Sequence, residues 1–63
     1  MENKNAKQNV QDVSEGLQNA QNCLNSALGS VEKPENKQQI EITLKSVDEA
    51  LKNAKATLLN YIE

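Results

Sequence analysis

The stretch ALGSVEKPENKQQI, residues 27–40, decides the fold of this 63-residue chain. It contains the only proline and one of the two glycines, and helix-like sequence flanks it on both sides. Because Lys33 precedes Pro34, its backbone is disfavoured in the α region, so a first helix should end by about residue 32. Pro34 suits a turn or a first helical turn, and Asn36 has capping-box spacing to the residue three places on. The stretch therefore predicts that the chain reverses here.

The boundaries that follow are a helix over about 6–32, a turn over about 33–36 and a helix over about 37–62, in one domain covering residues 1–63. Residues 1–5 are polar, and we expect them to be frayed. One boundary stays open at this point. Gly29 either ends the first helix early as a C′ residue, or lies within a helix that continues and buries Val31.

Apolar residues recur at alternating steps of three and four along both segments, which is the spacing of the a and d positions of a heptad. The pattern predicts two amphipathic helices, and strand-like alternation is absent. We call the predicted contact between them the association seam. Its residues are Val10, Val13, Leu17, Ala20, Leu24, Ala27, Leu44, Val47, Leu51, Ala54, Leu58 and Tyr61.

An antiparallel register accounts for the sizes of the seam residues. If facing residues have numbers that add to 71, every a position meets a d position, as 20 and 51 do. Each seam alanine then faces a leucine: Ala27 faces Leu44, Ala20 faces Leu51, and Ala54 faces Leu17. Dense interiors require such pairing of small with large side chains. The sequence therefore predicts an all-α fold, an antiparallel two-helix hairpin.

The positions beside the seam predict association. The g positions are nearly all small, namely Asn9, Gly16, Cys23, Ser30, Thr43, Ala50 and Thr57. Small neighbours widen a buried face and let another helix approach, whereas the e positions are more polar and resemble a rim. A lone hairpin leaves one side of its seam uncovered, and a chain this short rarely stabilises itself by more than about 3–5 kcal/mol. We expect a homodimer of hairpins that forms a four-helix bundle.

Composition excludes several classes of function. One cysteine and no histidine rule out a disulfide within the chain and a Cys/His metal site. Seven lysines, no arginine and a net charge of −2 disfavour nucleic-acid binding. No apolar run is long enough for a membrane span and no secretory signal is visible, so we expect no membrane association and a cytoplasmic protein.

Catalytic residues are not expected. Cys23 has no histidine or cationic neighbour to activate a thiolate, so a packing role is favoured. The carboxylates are scattered along helix faces, and no phosphate-binding loop or calcium-binding spacing occurs. We expect no enzyme activity, no metal site and no cofactor.

Three apolar residues lie off the seam: Ile42, Leu59 and Ile62. One interpretation is that Leu59 and Ile62 widen the core-facing surface in the oligomer. The other is that the three form a docking patch for a different protein, as helix anchors in a groove do.

Two resemblances accompany this pattern. In length, helix count and turn position the chain resembles the small RNA-binding Rop-type hairpins, which dimerise into four-helix bundles, although it has neither the arginine nor the phenylalanine for their RNA-binding surface. Its segments LQNAQNCL (17–24) and ENKQQI (35–40) resemble parts of small helical-hairpin proteins of spore-forming bacteria, which include the acid-soluble spore protein Tlp family. The basic start of that family is missing, and no functional residue is implied.

The function expected is that of a small non-enzymatic protein–protein interaction module, a regulator or adaptor that binds itself and one other protein through helical-bundle surfaces. The alternative is a structural or storage-type small protein, for example a spore component, without a dedicated partner.

Overall fold

Two long helices packed against each other make up almost all of the structure. The computed structural model describes residues 5–62. Helix α1 comprises Ala6–Ser30 and helix α2 comprises Pro34–Leu59. Because only residues 31–33 link helices of 25 and 26 residues that contact each other, the two must run antiparallel. Within the described range no strand occurs, so the prediction of an all-α two-helix hairpin is confirmed.

Helix α1 begins with a complete capping box. The side-chain oxygen of Asn5 accepts a hydrogen bond from the Gln8 backbone N–H at 2.8 Å, and the Asn5 N–H donates to Gln8 Oε1 at 3.3 Å. Both bonds satisfy N–H groups that have no partner within the helix. The fraying expected for residues 1–5 therefore does not extend to Asn5, and residues 1–4 lie outside the described part of the chain.

The turn is tighter and earlier than the predicted 33–36. Helix α1 continues through Gly29, which has a negative φ, and ends at Ser30 rather than near residue 32. Val31 is extended, with φ −70° and ψ 140°, and its N–H donates to the Ala27 carbonyl at 2.9 Å. Of the two alternatives for Gly29, the structure has the continuous helix, because Val31 closes the helix end without a left-handed residue and is itself half-buried.

Helix α2 begins at Pro34, three residues before the predicted start at 37. Lys33 is extended at φ −88° and ψ 130°, which confirms the effect expected of a residue that precedes proline. Proline is favoured at the first helical position because its φ is already fixed and its missing N–H would have no helical partner. Asn36 consequently lies inside the first turn and does not cap the helix, and the cap residue Lys33 makes no side-chain capping bond.

The carboxyl end of α2 lies at Leu59, so the predicted end at 62 is too late. The Asn60 backbone N–H and its side-chain Nδ2 both donate to the Ala56 carbonyl, each at 3.0 Å. A side chain that competes for the last carbonyls favours termination there. Tyr61 and Ile62 therefore follow the helix instead of belonging to it, although Tyr61 stays half-buried.

The register of the hairpin agrees with the predicted one. Gln21 Nε2 donates to Asp48 Oδ1 at 2.6 Å across the two helices. Both residues occupy e positions, and 21 and 48 add to 69. When facing a and d residues have numbers that add to 71, neighbouring e residues on the two helices have numbers that add to 69, as Gln21 and Asp48 do.

The association seam shields one side chain from water in the single hairpin. Leu51 is 5% exposed and is the one buried side chain among residues 5–62. Ten of the other predicted seam residues are half-buried. Val13 differs, since 55% of it is exposed in the single hairpin. On α1 the e residues Ser14, Gln21 and Leu28 are half-buried, whereas Val13 stands out among the seam residues as exposed.

Candidate protein-interaction surface

The described residues form neither a cavity nor a cluster of metal-binding side chains. No cavity is found in the part of the chain that the structure describes, and no group of three Cys, Asp or Glu side chains there could hold a metal ion. Cys23 is an exposed free thiol. Neither α1 nor α2 is long and apolar enough to cross a membrane. The candidate functional surface is therefore the exterior of the hairpin itself.

The hairpin is one layer thick. Its smallest extent is 13 Å between Cα atoms, whereas stable domains bury apolar faces between two layers. The accessible surface is 5031 Å² for a 7.0 kDa chain. A compact monomer of this mass exposes about 4,000 Å². The chain thus leaves roughly 1,000 Å² more surface in water than a compact fold would, which is near the area of about 800 Å² that each partner buries in a standard interface.

Two flanks border the seam along its length, one on each side of the hairpin. The charged flank consists of the e positions Lys7, Ser14, Gln21, Leu28, Glu41, Asp48, Lys55 and Ile62. The uncharged flank consists of the g positions Asn9, Gly16, Cys23, Ser30, Thr43, Ala50 and Thr57. Four of the eight residues of the first flank carry charge and none of the seven of the second does, so the two sides of the hairpin offer different surfaces to a partner.

The charged flank is already partly covered inside the single hairpin. Its three central residues on α1, Ser14, Gln21 and Leu28, are half-buried. Gln21 joins the two helices by its bond to Asp48, and its Oε1 also accepts from Gln18 Nε2 at 2.7 Å. Of the e positions that the sequence indicated as a rim, Ser14 and Gln21 are half-buried, whereas the charged ones are exposed.

Leu28 is the residue that sequence reasoning missed. It follows the seam residue Ala27 and occupies an e position, on the same side of the helix as the a positions. The heptad pattern assigns apolar residues to a and d positions, so it does not include Leu28. In the structure it is half-buried beside the seam. The available signal was the Ala27-Leu28 pair itself, since two adjacent apolar residues widen a helix stripe toward one flank.

The uncharged flank is open. Every residue on it is exposed except Ala50, which is half-buried. A Cβ atom built on Gly16 would meet no atom within 4 Å. The close approach that a glycine at this position suggests is therefore not made by anything within the hairpin.

The three predicted docking residues are all exposed, but they do not form one patch. Ile42 is 55% exposed, Leu59 is 86% exposed and Ile62 is 89% exposed. Ile42 precedes Leu59 by 17 residues on α2, a distance of about 25 Å along a helix that rises 1.5 Å per residue. Leu59 is the last residue of α2, and Ile62 follows it three residues later, beyond the end of the helix. The structure therefore retains a pair, with Ile42 apart from it.

Comparison with known proteins adds no assignment. No protein-family model, no curated protein sequence and no solved structure matches the chain. The resemblances to Rop-type hairpins and to hairpin proteins of spore-forming bacteria stay predictions.

Proposed function

We propose that the chain is a non-enzymatic protein–protein interaction module that works as a dimer of hairpins, with its four helices in one bundle. The observation that carries the proposal is the state of the seam. Among residues 5–62 Leu51 alone is buried, and the other leucines of the seam are half-buried. The seam is apolar along its whole length, yet only Leu51 is shielded from water in the described hairpin. A second pair of helices packed on the hairpin would bury the rest of the seam.

The energy of so small a core supports the same conclusion. A single core at this length rarely contributes more than about 3–5 kcal/mol. No histidine is present and Cys23 is a free thiol, so the usual covalent and metal reinforcements of small folds are absent among the described residues. Association is the remaining source of burial, and roughly 1,000 Å² of excess surface is enough for it.

The proposal gives the dimer a role as an adaptor or regulator of another protein, in the cytoplasm, where reducing conditions keep Cys23 a thiol. Nucleic acid is not among its partners, because a chain with nine acidic and seven basic residues presents no positive field to phosphates. The pair Leu59 and Ile62 is the contact for that other protein. Large apolar side chains that stay in water at a helix end are typical anchors for a groove on a partner.

Sedimentation equilibrium over a dilution series tests the dimer. We expect twice the chain mass of 7.0 kDa at high concentration. Helix content should fall together with the mass on dilution, because folding is coupled to association in an obligate dimer. A stably folded monomer at micromolar concentration would overturn the proposal.

The adaptor role is tested by affinity capture from the native host with the double variant Leu59→Glu and Ile62→Glu. Because both side chains are almost fully exposed, the variant should keep the helix content and mass of the wild type. It should lose a stoichiometric partner that the wild type retains. Ala56→Glu, also exposed near the end of α2, is the matched control and should retain the partner. A wild-type protein that captures no stoichiometric partner would contradict the adaptor role and favour a structural protein.

A further inference from the structure

The two flanks of the hairpin are not equivalent as interfaces, and we infer that a second copy of this chain covers the uncharged flank. The inference rests on the proposed dimer and adds which face forms it. The occupant follows from area, because the hairpin exposes roughly 1,000 Å² more than a compact monomer, and each partner of a standard interface buries about 800 Å². A second copy is also favoured by symmetry, since a two-fold interface places the same uncharged surface on both partners, and by the hydroxyl groups of this flank, which already have hydrogen-bond partners within the hairpin.

Charge distinguishes the two flanks. Covering the charged flank would remove the ions of Lys7, Glu41, Asp48 and Lys55 from water, and each buried ion costs several kcal/mol unless it is well paired. None of the seven residues of the uncharged flank carries a charge, so covering them buries no ion of the flank itself. A two-fold interface places the same surface on both partners, so a surface without charge meets its own copy without like-charge repulsion.

The polar groups of the uncharged flank are mostly satisfied inside the hairpin. The Thr43 hydroxyl donates to the Gln39 carbonyl at 3.0 Å, and the Thr57 hydroxyl donates to the Asn53 carbonyl at 3.0 Å. The Ser30 hydroxyl donates to carbonyls of its own helix. A buried hydroxyl without a partner is costly. Since all three hydroxyl donors are already used, a second copy can exclude water from this flank at little polar cost.

The apolar surface that needs covering lies on the same side. Around a helix the d position is about 60° from g and about 100° from e, at 100° per residue. Val13, a d residue 55% exposed, therefore borders the uncharged flank. On α1 the side toward e is already partly covered, because Ser14 and Leu28 are half-buried by the hairpin itself. A copy on the uncharged flank would bury Val13 and complete the seam, and it leaves Leu59 and Ile62 free for a different partner.

Two neighbouring exposed residues supply a matched test. Cys23 lies on the uncharged flank, and Asn22 is the next residue on the outer face of α1; both are exposed in the hairpin. We expect Cys23→Glu to raise the dissociation constant of the dimer at least about tenfold, since an unpaired charge would be buried. Asn22→Glu should leave it unchanged, and so should Lys55→Glu on the charged flank. A wild-type dimer that Lys55→Glu dissociates while Cys23→Glu does not would overturn the assignment of the flank but keep the dimer. A wild-type monomer would instead refute the proposed dimer.

Thiol reactivity gives an independent readout if Cys23→Glu fails to fold. In the wild-type dimer the Cys23 thiol should react with a thiol reagent at least about tenfold more slowly than the thiol of an Asn22→Cys, Cys23→Ser variant, because the second copy covers it. Both positions are exposed in a single hairpin, so the difference would come from the dimer alone. Equal rates under conditions in which sedimentation shows both proteins as dimers would overturn the inference.

Discussion

Leu51→Ala is the substitution that the structure predicts to be the most damaging. Leu51 is 5% exposed and forms the one closed layer of the described seam, whereas Leu58 is half-buried and Leu59 is 86% exposed. All three leucines belong to helix α2. Truncating each of them to alanine removes the same atoms from the same helix, and leucine and alanine are both good helix formers, so differences in helix propensity contribute little to the series.

The magnitude follows from burial. Leu→Ala at a buried site costs roughly 2–5 kcal/mol, because transfer free energy is lost and a cavity remains. For Leu51 we expect about 3 kcal/mol, since its surroundings are open enough to relax in part. Leu58→Ala should cost about 1–2 kcal/mol in proportion to its smaller burial. Leu59→Ala should stay within about 0.5 kcal/mol of the wild type. If the whole fold is worth about 3–5 kcal/mol, Leu51→Ala leaves about 0–2 kcal/mol, so that between roughly 3% and half of the molecules are unfolded.

Urea unfolding followed by far-ultraviolet circular dichroism measures the series. All variants must be compared at the same protein concentration, because the stability of an associating chain depends on it. The expected order of the free energies of unfolding is Leu59→Ala above Leu58→Ala above Leu51→Ala. Equal losses for Leu51→Ala and Leu59→Ala would refute the packing described here, since the two side chains would then share one environment.

Three further substitutions test local features. Asn5→Ala should cost about 1 kcal/mol of unfolding free energy, because it removes the capping box of α1, while Asn36→Ala, inside the first turn of α2, should cost clearly less in the same urea titration. Gly29→Ala should stabilise by about 0.5 kcal/mol, because Gly29 is helical and a Cβ there meets no atom within 4 Å; a loss of stability would indicate a left-handed helix end instead. A double-mutant cycle of Gln21→Ala with Asp48→Ala should give a coupling of about 0.5–1 kcal/mol, and zero coupling would contradict the register.

The hairpin and its register could be predicted from sequence because both depend on repeating patterns. Alternating steps of three and four fix which face of each helix is apolar, and the antiparallel alignment in which facing numbers add to 71 places each seam alanine opposite a leucine. The hydrogen bond from Gln21 to Asp48 agrees with that alignment. Individual helix ends were harder to predict. Pro34 is compatible both with a turn and with the first turn of a helix. The local sequence therefore does not decide at which residue α2 begins.

The candidate surface was only partly predictable. That Ile42, Leu59 and Ile62 lie off the seam follows from their heptad positions, and their exposure agrees with it. That Ile42 lies apart from the other two follows from the length of one continuous helix. The chemical difference between the small g positions and the more polar e positions was visible in the sequence. The exposure of Val13 and the half-burial of Leu28 were not, because the rotation of a helix about its own axis depends on how side chains of both helices fit together.

The sequence by itself determined that this protein is a pair of amphipathic helices that reverse near the proline, since periodicity and the stereochemistry of Pro34 act within a few residues. Tertiary structure decided which side of the seam stays open. The packing of α1 on α2 half-buries Leu28 and leaves 55% of Val13 exposed. The physical reason is that packing depends on contacts between residues far apart in the chain, such as Gln21 and Asp48, whose geometry no local pattern contains.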